Sequence, residues 1–326
     1  MLQIFAITFP FFALVAAGYL AARRRLLPLE AIPGLNGFVL FFALPCMLYR
    51  FGSNTPLAQL LDFGVLAVWG VCALVLVGGV VLLARNERIG WNDAAFGALV
   101  AAFPNTGFMG VPLLIALLGA AAAGPIIVTI TFDMVVTSSL CIALSRLDGA
   151  HQHGASRALR QALRGVFVNP LPWSIVLGTA ASALGWRPAA PVWQTLSMLA
   201  DAASPVALFT IGAVLARSAM NEGAARRQGA EPVRRHSMDH LPLVPVKLLI
   251  HPLMVWLAGR AAIGFGLPLS PSALVAIVLV AALPSASNVS MLAERFGADT
   301  GRVARIILLT TVAAFLSFPL IAAWLR

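Results

Sequence analysis

Two short stretches carry much of the polar chemistry of an otherwise apolar chain. The first is Pro104-Asn105-Thr106-Gly107, continuing as Phe108-Met109-Gly110-Val111-Pro112; the second is Pro284-Ser285-Ala286-Ser287-Asn288. Each proline removes a backbone donor, and the residues after it offer small side chains with neutral hydrogen-bonding groups. Both stretches interrupt apolar runs near their middle. A helix that restarts at such a depth presents free N–H groups and the positive end of its dipole. That arrangement suits an anion and needs no buried Lys or Arg to hold it. Pro104, Asn105, Thr106, Gly107, Pro284, Ser285, Ser287 and Asn288 are therefore the candidate substrate-binding residues.

Two acids also fall within apolar runs: Asp133, in Thr131-Phe132-Asp133-Met134, and Asp201, four residues before Pro205. A charge in the middle of a membrane costs at least roughly 2.5 kcal/mol on insertion scales, so such a residue is seldom idle. Both are candidates for a proton or coupling-ion site. The alternative for Asp133 is an acid that fastens helices through Thr129, Thr131 or Thr137; for Asp201 it is exposure to outer water. His251, just before Pro252 and one turn beyond Lys247, is expected to be structural, with a proton carrier as the alternative. His151, His153, His236 and His240 fall in polar loops, where a solvated side chain is expected. Cys46, Cys72 and Cys141 lie in apolar runs without metal-ligand spacing, so neither a metal nor a cofactor is expected. The sequence has no G-x-S-x-G, H-E-x-x-H or P-loop, and it gives no catalytic arrangement.

The elements that position these residues follow from composition. The chain has 326 residues, 60% hydrophobic and only 10% charged, against roughly 25% charged in a soluble domain. The apolar residues form runs of about twenty, the length that crosses the hydrocarbon core. They lie at 4–22, 33–51, 60–84, 94–118, 124–145, 166–186, 193–217, 243–263, 271–293 and 301–325. The expected fold is an all-α membrane protein of ten transmembrane helices. Arg23, Arg24 and Arg25 follow the first run instead of preceding it, as for an uncleaved first span. The net charge of +10 does not gather on one face, which argues against nucleic acid as partner. With the N-terminus outside, all of the 22 Lys and Arg residues except Arg50, Arg187, Arg260 and Arg326 fall on the inner side. The positive-inside rule then places both termini in the periplasm of a bacterial inner membrane.

The prolines reveal an internal repeat. Pro10, Pro45 and Pro104 correspond to Pro170, Pro205 and Pro284, with equal first intervals; the longer second interval is absorbed by a polar loop at 218–242. Ala101-Ala102-Phe103-Pro104 matches Ala281-Ala282-Leu283-Pro284. The halves are a five-helix repeat at 1–145, a cytoplasmic linker at 146–165 and a second five-helix repeat at 166–326. An odd number of spans in each inverts one half relative to the other, and inverted repeats with matched helix breaks are a transporter signature.

The run Pro104-Asn105-Thr106-Gly107-Phe108-Met109-Gly110-Val111-Pro112-Leu113-Leu114 resembles the crossover segment of the auxin efflux carrier family. Leu35-Asn36 through Phe42-Ala43-Leu44-Pro45 is similar to that family's second span, and Ala293-Glu294-Arg295-Phe296-Gly297-Ala298-Asp299 to its motif after the ninth. The resemblance implies crossed, broken helices 4 and 9, a scaffold of spans 1, 2, 6 and 7, and an elevator-like domain of spans 3–5 and 8–10. It also implies substrate contact at Asn105. Bacterial members include carriers of malonate and other small organic acids. Some plant members carry a charged pair on the third span, where this chain is uncharged, so auxin is not the expected substrate.

The expected function is a secondary carrier of a short, malonate-like carboxylate, with proton or sodium as coupling ion and a homodimer through the scaffold helices as assembly. Two alternatives stand beside it. One is a sodium-coupled, bile-acid-like symporter with the same crossed helices; the other is a membrane sensor or channel on that scaffold. No loop is long enough for a signalling domain, and the polar residues cluster at mid-depth instead of forming a continuous stripe.

Overall fold

The computed structural model describes residues 2–55, 62–86, 89–147, 170–227 and 241–325, and over these it is all-helical. The helices are α1 (Leu2–Arg23), α2 (Ala31–Asn54), α3 (Phe63–Ala84), α4a (Trp91–Ala102), α4b (Thr106–Leu118) and α5 (Ala120–Ser145). They are followed by α6 (Pro170–Ala183), α7 (Ala190–Arg227), α8 (Leu243–Gly264), α9a (Pro271–Ala281), α9b (Asn288–Phe296) and α10 (Thr300–Trp324). Six stretches, within α2, α3, α5, α7, α8 and α10, are long and apolar enough to cross a membrane; α1, α4b, α6 and α9a supply shorter apolar helices. Large apolar side chains such as Phe41, Phe42, Val71, Leu82, Leu83 and Phe265 point outward, as lipid-facing surfaces require.

Caps start the helices where the sequence supplies them. Asp62, Ser270 and Asp299 accept from the backbone N–H of Val65, Ala273 and Arg302, opening α3, α9a and α10. The apolar runs 94–118 and 271–293 are each split at the expected breaks, because Pro104 and Pro284 cannot donate to a preceding turn. Helix α7 continues through Arg227, reaching into the segment expected to be the polar loop 218–242. The histidines expected in loops, and most of the expected linker 146–165, lie outside the described residues.

The helices fall into two packed sets. In one, α1 lies along α7 and α2 along α6, with α7 also against α2. In the other, α3 packs on α4a and α8, α4a on α5, and α8 on α9a. Lipid is as apolar as a leucine surface, so close backbone approach must hold the first set together. A side chain at Gly18 would strike the Phe209 backbone, one at Gly212 the Val15 backbone, and one at Gly178 the Tyr49 backbone. Arg50 bridges α2 to α7 through Asp201, at 2.8 Å.

A polar knot ties one end of the second set. Asn92 Nδ2 donates to the carbonyls of Phe296 and Gly297 at 3.2 and 3.0 Å. Asp93 accepts from the Asp299 backbone at 2.8 Å, and Arg302 donates to the Asp93 carbonyl at 2.9 Å. The start of α4a, the end of α9b and the start of α10 are thereby held together.

Candidate functional site

The two broken helices meet at their breaks. Pro104 and Ser285 form an antiparallel bridge, isolated from any strand. Asn105 N donates to the Pro284 carbonyl at 2.8 Å, and Ala286 N to the Phe103 carbonyl at 3.0 Å. The carbonyls and N–H groups freed by the prolines thus satisfy one another across the crossing, as buried backbone must at this depth. Ser285 N finds Thr310 Oγ1 on α10 at 3.2 Å.

Asn105 has φ −76° and ψ 52°, the inverse γ-turn conformation, with Thr106 N returning to the Pro104 carbonyl at 2.8 Å. This turn aims the chain into a wide π turn, Thr106–Gly110, a form frequent at functional sites. Met109 N and Gly110 N both reach the Asn105 carbonyl. Among the described residues, the N–H groups of Gly107 and Phe108 have no backbone acceptor, and neither do those of Ser287 and Asn288 at the start of α9b. Two helix N-termini, with their partial positive charge, therefore open at the crossing.

Among the described residues, several side chains there are left without partners. Asn105, 4% exposed, has an amide that bonds to no other described residue. Ser285 Oγ and Asn288 Oδ1 are buried and likewise unpartnered. Ser287 is half-buried, and its carbonyl accepts from Ser290 Oγ at 2.7 Å. Thr106 Oγ1 turns back to the Pro104 carbonyl at 3.4 Å, so its hydroxyl serves the turn itself. Gly107 sits beside Leu44 of α2, with room for a side chain at 3.8 Å. All eight sequence-derived positions lie at or next to the crossing. Gly110 packs closely across the crossing: an added Cβ would come within 2.5 Å of Leu283 Cδ1, so that side chain would have to shift.

The two candidate acids part company. Asp201 is on α7, exposed and paired with Arg50. Asp133 is fully buried at the head of a π turn, Asp133–Thr137, in α5. Its Oδ1 accepts from Trp69 Nε1 at 3.1 Å and Thr137 Oγ1 at 2.9 Å. Of the three expected threonines only Thr137 reaches it; Thr129 and Thr131 bond to backbone carbonyls of their own helix.

Sequence reasoning missed the cation. Lys247, counted among the inner-side charges, is fully buried and donates to the Ala281 carbonyl at 2.8 Å, at the end of α9a. A buried cation therefore stands beside the end of α9a, whereas the sequence reading asked for no buried Lys or Arg at the breaks. The four-residue spacing of Lys247 and His251 within an apolar run was the available signal: it puts both on one helix face.

Two broken helices thus meet at a buried polar crossing, with a buried acid and a buried base in the same set of helices. A family model described as "Membrane transport protein" matches residues 3–322. The chain is 31% identical to a "Putative malonate transporter" of Rhizobium meliloti (strain 1021), over 96% of this chain and 92% of that one. It is 26% identical to the uncharacterized transporter YfdV of Escherichia coli (strain K12), over 89% and 88%. "Auxin efflux carrier component 8" of Arabidopsis thaliana is 23% identical over 64% of this chain and 71% of that one. The chain belongs to the membrane transport protein family that includes the auxin efflux carriers, and it is a multi-pass membrane transporter.

Proposed function

We propose that the chain is a secondary carrier of a short carboxylate, malonate or a close analogue, bound at the crossing of α4 and α9. The observation that carries this is the bridge of Pro104 and Ser285, which brings together two helix N-termini, with Asn105 beside it and with Ser285 Oγ and Asn288 Oδ1 buried and unpartnered among the described residues. A carboxylate fills that need: it accepts from the free N–H groups and the Asn105 amide while the dipoles compensate its charge. The flanking Phe103, Phe108, Met109 and Val289 suit a short hydrocarbon portion. The malonate transporter relative supports the same substrate class.

The proposed architecture is ten spans in two inverted five-helix repeats, 1–145 and 166–326, joined by the 146–165 linker. The reciprocal packing of α1 on α7 and of α2 on α6 supports it, since exchange of the repeats maps one contact onto the other. The proposed motion is elevator-type alternating access. The set α3–α5 and α8–α10 carries the crossing past a scaffold of α1, α2, α6 and α7, through which two copies pair. Both termini face the periplasm of the inner membrane. Asp133 is the coupling residue in this scheme, and Asp201 belongs to the scaffold ion pair.

Uptake of radiolabelled malonate into proteoliposomes containing the purified full chain tests the proposal. Saturable uptake that is competed by short mono- and dicarboxylates, and not by sugars, amines or phosphate esters, is expected. Competition by sugars or amines in place of carboxylates would overturn the substrate class.

A further inference from the structure

Behind the crossing, three titratable side chains are buried together in the set of helices that carries both breaks. Asp133 of α5 and Lys247 and His251 of α8 are all fully buried. Asp133 has one oxygen, Oδ2, with no partner among the described residues. Lys247 Nζ lies 3.2 Å from His251 Nδ1 and donates to the Ala281 carbonyl; His251 Nε2 has no partner among the described residues. Trp69 of α3 joins the two sides. Its indole N–H bonds to Asp133, and its ring centroid lies 5.3 Å from that of His251. Asp133 and Lys247 act on each other electrostatically without forming a direct ion pair. Among the described residues, Cys141 of α5 also feels the Asp133 charge, and Cys72 of α3, the helix that carries Trp69, has its thiol 3.8 Å from the Met254 carbonyl of α8.

We infer that Asp133, Lys247 and His251 form a proton-binding site whose occupancy is coupled to carboxylate binding at the crossing. This rests on the carrier reading above and names its coupling ion.

The ligand set selects a proton over sodium. A hard cation needs several oxygen ligands, and the cluster offers one free carboxylate oxygen beside a primary amine and an imidazole. No group of three or more His, Cys, Asp or Glu side chains among the described residues could hold a metal ion. A proton needs only the one free oxygen.

The charges balance. With the Lys247 ammonium, the Asp133 carboxylate and neutral His251, the cluster is net zero. The ammonium then donates to His251 Nδ1, which places the ring proton on Nε2. An entering proton forms an O–H bond at Asp133 Oδ2 and leaves the cluster with one positive charge. A carboxylate monoanion at the crossing, which for malonate is its singly protonated form, returns the moving set to zero. After the transition the anion leaves, and the Asp133 O–H bond breaks to return the proton to water. Proton and anion cross as a neutral pair, so the hydrocarbon never surrounds an uncompensated charge.

The coupling has a physical path. Asp133 and Lys247 each stand in a five-residue π turn, Asp133–Thr137 and Val246–Ile250. Lys247 grips the carbonyl of Ala281, the last residue of α9a, and the chain then turns through Ala282 and Leu283 to Pro284 and Ser285 at the bridge. Protonating Asp133 removes the attraction that draws Lys247 toward α5. The end of α9a, and with it one wall of the crossing, responds.

Two readouts test this on the full chain. The first needs no substrate: infrared difference spectra of the purified carrier between acid and alkaline pH. A carboxylic-acid carbonyl band that titrates in the wild type, is lost in Asp133→Asn and shifts its midpoint in Lys247→Met is expected. A carrier with no such band, or one whose band ignores Lys247→Met, overturns the site. The second is malonate uptake into proteoliposomes under an acid-outside gradient. Accumulation of about tenfold per pH unit for each proton carried is expected, with the dependence lost in Asp133→Asn and no response to a sodium gradient. Uptake that follows sodium, or that ignores pH while the wild type transports malonate, overturns the coupling. If malonate is not transported at all, the substrate assignment fails, and the infrared titration still decides the proton site.

Discussion

Replacing Asn105 with Ala isolates the side chain from the backbone that shapes the crossing. The alanine keeps the N–H that donates to the Pro284 carbonyl at 2.8 Å and the carbonyl that receives Met109 and Gly110. The amide it removes bonds to no other described residue, so the fold loses no hydrogen bond and the carrier should express and purify normally. What is lost is a neutral donor to a carboxylate, worth roughly 1.5–3 kcal/mol for a hydrogen bond to a charged group. At about 1.4 kcal/mol per decade, the apparent KM for malonate should rise about tenfold to a hundredfold. Initial-rate uptake in proteoliposomes at matched protein content measures it. If the amide also tightens in the transition between the two access states, the maximal rate falls as well. An Asn105→Ala carrier with unchanged KM and maximal rate would refute the placement of substrate at this residue. One that fails to fold would refute the claim that the side chain is free of structural duty.

Three further outcomes follow from the packing. Gly110→Ala drives a methyl against Leu283, so it should cost about 1–3 kcal/mol of stability and impair transport; thermal denaturation should show partial rescue when Leu283→Ala is added, and an undisturbed single variant would contradict the close crossing. Asp201→Asn breaks a solvent-exposed pair with Arg50, worth about 0.2–1 kcal/mol; transport kinetics should stay near those of the wild type, and loss of proton dependence there would move the coupling role from Asp133 to Asp201. Cysteines introduced at Gln3 and Arg227 should react with impermeant reagents from opposite sides of the membrane, and same-side labelling would refute the inverted-repeat topology.

The breaks were legible in the sequence because proline acts locally: Pro104 and Pro284 remove donors wherever they stand, and the small polar residues after them mark the consequence. Asp133 was legible because a lone acid in an apolar run is expensive. Its partner Trp69 was not, since an indole in an apolar run looks like any lipid-facing or core aromatic. Lys247 was hidden for a different reason. A lysine near the end of an apolar run ordinarily snorkels to the interface, and only the packing of α8 against α3 and α9a turns it inward. The Arg50–Asp201 pair joins residues of different halves, beyond the reach of any local pattern. The continuation of α7 to Arg227 was missed because Gly, Arg and Glu were read as loop formers. Its segment Ala213–Arg227 is rich in Ala and Arg, both strong helix formers.

Substrate protection at the crossing tests the central claim most directly. In a carrier with Cys46, Cys72 and Cys141 replaced by Ala, Ser287→Cys puts a thiol at the half-buried start of α9b. Its rate of modification by a small, water-soluble thiol reagent is then measured with and without malonate. Malonate should slow the reaction in proportion to its occupancy, with half-protection near its transport KM, and adding Asn105→Ala should weaken that protection in parallel with transport. A carrier that transports malonate while Cys at position 287 reacts at the same rate with or without it would contradict a substrate site at the crossing.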